Sequence, residues 1–272
     1  MSTIFFDRDQ GEMMKKRWMA GGLVAASIFG MSTAQASLVS VGTGLVYDNV
    51  ANVTWSSDAN LFGTMAGNMG YMNLVNSIIA AVPTVHDTPN SLDTPPNTGN
   101  YNLSSGDFNS ASSGWMDWWG GLGFVGYLNT LNNGAGYLNH KTWELPTTYT
   151  QTCTGYCANS MLGELFYTGL GGTAGQSITT FHNSSYNLFT NVQNDWYWSG
   201  EYTSNPGGAW LFIPAYGLQD VAYKFSNYPY LWAVLPGNAT AVPGSGSTVP
   251  EPATLTLIGL GLAGLGAMRR RG

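Results

Sequence analysis

Basic residues are nearly absent from the middle of this chain. Between Ser37 and Val249 the only cations are Lys141 and Lys224, set against eleven carboxylates, which leaves that stretch at −9. A body so charged cannot neutralise a phosphate backbone, so nucleic acid is excluded as a partner. An anionic membrane surface is disfavoured for the same reason. Cysteine is almost as scarce, with Cys153 and Cys157 alone, and the three histidines, His86, His140 and His182, are scattered. No histidine pair has zinc spacing and no G-x-S-x-G string marks a nucleophile elbow. Long apolar runs are missing too: neither end of the chain reaches the roughly 20 residues of a comfortable membrane span.

The two ends do carry short apolar runs, each beside a basic cluster. Lys15, Lys16 and Arg17 precede an apolar stretch from Trp18 to about Met31, followed by Ala34-Gln35-Ala36. That order is a secretory signal peptide covering 1–36, cut by signal peptidase after Ala36 so that Ser37 leads the mature chain. Translation is expected to start at Met13 or Met14, since residues 1–12 have no signal character. At the other end Pro250-Glu251-Pro252 precedes Ala253–Met268 and then Arg269, Arg270 and Arg271. As a helix the apolar part is about 24 Å long, against a hydrocarbon core of about 30 Å. Snorkelling arginines cover the difference and hold the C-terminus on the cytoplasmic side.

A Pro-Glu-Pro triplet, a short Gly/Leu-rich span and terminal arginines together resemble the PEP-CTERM sorting signal, over 250–272. The resemblance implies an exosortase as processing partner and a tail that anchors the protein only transiently. It also implies delivery to the outer surface or extracellular matrix of a Gram-negative bacterium that makes exopolysaccharide.

Within the body, Cys153 and Cys157 read as a disulfide because the chain is exported. Val41–Trp55 predicts two strands around an Asp48-Asn49 turn. Helical spacing appears over 70–82, ended by Pro83, over Trp115–Leu131, and from Ser160 to about Leu170 with Asn159 or Ser160 as cap. Four strands follow: Trp196–Trp198, Ala209–Ile213, Val221–Phe225 and Leu231–Leu235. Early helices and a late antiparallel sheet make an α+β domain over 37–240, and 241–249 is a linker. Residues 86–114, rich in Asp, Asn, Ser and Pro, read as a low-complexity surface loop with nothing to bury.

Five strings, GLVYDNVANVTWSSDAN (44–60), TWELPT (142–147), LGELFYTGLG (162–171), FTNVQNDWYWSGEYT (189–203) and LWAVLPG (231–237), resemble the Lcl C-terminal-domain family. That resemblance implies a C-type-lectin-like fold and a non-catalytic binding or adhesion role toward an exopolysaccharide or surface glycan. Glu144 and Leu235 stand where the family usually has arginine, so an arginine-dependent role does not transfer. An enzyme acting on matrix polymers and a purely structural matrix component are the alternatives.

Asp195, Trp196, Glu201 and Asp220 lie near strand ends and are the candidate ligand-binding residues. They raise calcium as a cofactor, although the lectin calcium motif is missing and calcium needs six to eight oxygens. No catalytic residue is assigned. Most of the nine body tryptophans are expected in the core, with Trp196 and Trp198 sharing one strand face, Tyr197 on the other, and one of Trp118 and Trp119 exposed.

Overall fold

A computed structural model describes residues 37–240 except 112–113, 150–151, 203 and 227. The signal peptide, its cleavage residues Ala34 and Ala36, the linker and the sorting residues Pro250, Glu251, Pro252 and Arg269–Arg271 lie outside the described residues, as does the side chain of Glu201.

The described chain is mixed α+β, with four helices and antiparallel sheets. Three strands open it: β1 (Leu38–Gly42), β2 (Leu45–Asp48) and β3 (Val53–Ser56). Asp48 makes the turn between β2 and β3 by accepting the amides of Val50 and Ala51 at 3.0 and 3.1 Å. Such capping is why Asp starts tight turns. Strand β9 (Val234–Pro236) joins the far side of β3, pairing Thr54 with Leu235. The segment predicted as a fourth late strand therefore completes the first sheet instead. The second sheet is β6 (Tyr197–Glu201), β7 (Gly208–Ile213) and β8 (Leu218–Tyr223), in that order.

Helix α2 (Tyr71–Ala81) fills the span its periodicity predicted and stops before Pro83. Helix α1 (Leu61–Met69) precedes it and was not foreseen. Helix α3 (Trp118–Gly134) begins three residues later than predicted because Asp117 caps it, accepting the Gly120 amide at 2.7 Å. Its helical backbone ends at Leu131, where Asn132 and Asn133 take φ of 51° and 57°. Helix α4 (Met161–Glu164), capped by Ser160, continues as a wider π-type turn over Leu165–Gly169.

The sheets divide two cores. Along β6, β7 and Leu231–Leu235 successive side chains go to opposite sides: Trp198, Leu211, Leu231 and Leu235 to one core, Tyr197, Phe212, Trp232 and Val234 to the other. Strands covered on both faces lose the apolar/polar alternation and become apolar throughout, and every residue of β7 is buried.

The segment 86–114 corrects the expectation of a loop with nothing to bury. It holds β5 (Asn100–Asn102), paired with β4 (Thr84–His86), and buries Asn90, Asp93, Leu103, Asp107 and Phe108. Hydrogen bonds carry the ordering: Asp93 accepts the amides of Asn90 and Gly99 at 2.9 and 2.7 Å. The tryptophan expectation needs two corrections: Trp118 and Trp119 are both buried, since α3 is covered on both sides, and Trp196, exposed just before β6, does not share the buried strand face of Trp198.

Candidate functional site

The residues predicted to bind ligand are not gathered in one place. Asp195 precedes β6 and accepts the amide of Trp196 at 2.8 Å, and Trp196 is exposed. Asp220 lies exposed on β8, paired with Leu211, and accepts the Val221 amide at 2.8 Å. Among the described residues no three His, Cys, Asp or Glu side chains converge where a metal could sit. Cys153 and Cys157 form the disulfide, with Cα atoms 6.3 Å apart. Its loop pairs with the start of β8: the amides and carbonyls of Gly155 and Gln219 bond both ways at 2.8 Å.

The densest polar chemistry is instead a buried joint between segment 86–108, the start of α3 and the end of β8. Lys224 and Asp87, neither with side-chain surface open to water, form an ion pair at 2.7 Å. The same Asp87 oxygen accepts the Trp119 indole N–H at 3.0 Å. The Lys224 ammonium also sits 4.3 Å from the centre of the Trp118 ring, a geometry in which the ring's negative face attracts the cation. Tyr101 lies flat on Trp119, centroids 4.0 Å apart, and its hydroxyl donates to Asp107 at 2.9 Å.

Asp107 in turn meets Asp117, the cap of α3. Burial, then the Asp107 charge beside it, pushes the Asp117 carboxyl up to about 9, and burial raises Asp107 as well. Two carboxyls hydrogen-bonded to one another require a shared proton. A second pair of carboxyls influence one another between β2 and α4. Neither oxygen of buried Glu164 has a hydrogen-bond partner among the described residues, and burial followed by the Asp48 charge lifts its carboxyl to about 8. Carboxyls in direct contact leave no room for a sugar between them, whereas retaining glycosidases hold theirs about 5 Å apart. Glu144 is half-buried and raised by burial alone.

The outer surface offers aromatic rings. Tyr223, Phe225 and Tyr228 are all exposed where β8 ends. Tyr223 and Phe225 lie 7° from parallel, centroids 5.2 Å apart. Tyr228 meets Trp115 edge to face at 5.6 Å. None of the three was expected as a site, because Tyr223 and Phe225 fall in the predicted strand Val221–Phe225 and Tyr228 in the turn after it; the signal available was the alternation Tyr-Lys-Phe around one of only two body lysines. By contrast, the apolar crevice between α4 and the second core, lined by Leu165, Phe166 and Trp232, has room for about one water, 10 Å³.

No helix among the described residues is long and apolar enough to cross a membrane. No characterised protein and no solved structure matches the chain. The PEP-CTERM protein-sorting motif matches residues 248–271, which supports an exported chain processed by an exosortase.

Proposed function

We propose that this exported protein is a non-catalytic, lectin-like binding module of the cell surface or exopolysaccharide matrix. The observation that carries the reading is a division of labour. Inside the fold Lys224 pairs with Asp87 and Asp107 meets Asp117, while the open surface presents aromatic rings. Aromatic faces stack on the apolar faces of sugars, and Tyr adds a hydroxyl at the rim. The sorting motif supports delivery to the place where such polymers lie. The C-type-lectin-like assignment draws support from the way β9 returns to β3, bringing both ends of the domain into one sheet with helices and a second sheet between. A glycan array probed with the full chain tests the reading: binding to at least one surface or matrix polysaccharide is expected, and silence across the array, the host's own polymers included, removes the ligand from the account.

A further inference from the structure

We infer that Tyr223, Phe225 and Tyr228 form the platform on which an uncharged polysaccharide rests, an inference that builds on the glycan-binding reading above. Each ring is more than half open to water, at 60%, 57% and 59%. Lone exposed aromatics are ordinary, but Tyr223 and Phe225 stack on one another with centroids 5.2 Å apart, and Tyr228, exposed three residues on, packs edge to face on Trp115. The large exposed apolar side chains of this stretch are all aromatic, with no Leu, Ile or Met among them.

The platform is held from below. Lys224 stands between Tyr223 and Phe225 and points the opposite way, into the ion pair with Asp87 and onto Trp118. Its amide donates to the Gly207 carbonyl at 3.0 Å and its carbonyl accepts from Trp118 at 2.9 Å. Ser226 closes a turn on the Tyr223 carbonyl at 2.9 Å. With the backbone fixed on both sides, the flanking rings lose little freedom on binding, which favours affinity. The 204–207 turn, bonded to Lys224 through the Gly207 carbonyl, leaves Ser204 and Asn205 exposed.

Charge selects the polymer. The one cation of this stretch is turned inward and neutralised. Within a body at −9, a uronate or sulfate chain meets repulsion with no cation to offset it. A neutral hexose polymer meets none.

The test uses the full chain, the Tyr223→Ala/Phe225→Ala variant and a Phe181→Ala control, Phe181 being an exposed ring elsewhere. Affinity electrophoresis is run in dextran, a linear β-glucan, a mannan and, as a polyanion, alginate. The parent chain is expected to be retarded by at least one neutral polymer and not by alginate. The double variant should lose about tenfold in affinity, equivalent to about 1.4 kcal/mol, and the control should keep it. Equal retardation of parent and double variant overturns the platform while leaving the lectin-like reading intact. Retardation by alginate that the double variant loses overturns the charge argument. Binding to none of these polymers overturns the platform, and silence across the glycan array as well overturns the reading beneath it. If near-UV circular dichroism shows the double variant misfolded, Tyr228→Ala, at the other end of the patch, is judged by the same criteria.

Discussion

Replacing Lys224 by Met keeps the length and bulk of the side chain and removes only its charge. Asp87 is then left without side-chain access to water, and its Oδ2 keeps only neutral donors, the Trp119 indole at 3.0 Å and the Asn90 amide at 3.3 Å. Breaking a buried ion pair in this way costs about 3–5 kcal/mol, because the surviving charge has lost its counterion and cannot be rehydrated. The contact over the Trp118 ring at 4.3 Å disappears in the same step. For a domain of this size each kcal/mol lowers Tm by about 2–4 °C, so a fall on the order of 6–20 °C is expected. Thermal and urea unfolding followed by tryptophan fluorescence read it directly, since Trp118 and Trp119 both border the pair. The double variant Lys224→Met/Asp87→Asn removes both charges yet preserves an acceptor for Trp119, and should recover more than half of the loss. A single variant that loses less than about 1 kcal/mol would show that the pair is hydrated and that the joint does not hold the aromatic patch in place.

Three further outcomes follow from the same geometry. Asp117 near 9 and Glu164 near 8 bind protons more tightly in the fold than in the unfolded chain, where carboxyls titrate near 4. Their contribution is therefore complete below about pH 4 and is lost as pH climbs through 8–9, so Tm should decline from pH 5 to pH 9, and Glu164→Gln, which removes a buried group that must otherwise ionise beside Asp48, should flatten the decline; a Tm that rises over this range contradicts the raised carboxyls. Gly120→Ala would bring a Cβ to 2.6 Å from the Asp107 carbonyl, and the resulting shift at the start of α3 should cost about 1–3 kcal/mol in urea unfolding. Replacing Cys153 and Cys157 by Ser opens a loop of four-residue separation, for which the chain-entropy model gives about 2 kcal/mol; free-thiol titration of the parent chain should find none.

Elements whose order comes from apolar burial were readable in advance. Leu74, Val75 and Ile78 face one side of α2 at helical spacing and are fully buried, and Ser160 caps α4 as its position suggested. Elements ordered by polar contacts were not. Asn90, Asp93 and Asp107 look like residues of a solvated loop until their partners are known, and those partners are backbone amides and a tyrosine brought near only by folding. The Asp87–Lys224 pair spans 137 positions, and no local pattern announces it. Trp119 is buried against Tyr101 and Asp87 from the segment taken for an idle loop, which is why one of the two adjacent tryptophans was expected outside. The placement of β9 failed for a related reason: an apolar run shows that a strand is buried but not which sheet receives it. Of the candidate ligand residues, Trp196 is exposed as a binding side chain must be, yet the ring cluster lies at the other end of the sheet sequence, beyond Asp220.

The central claim is that the folded part works outside the cell, after both apolar ends have directed it there. Cell fractionation followed by intact-mass measurement of the native protein examines this most directly. A surface or matrix product that begins at Ser37 and lacks the residues after the Pro250-Glu251-Pro252 triplet is the predicted result. A cytosolic product carrying both termini whole would contradict it.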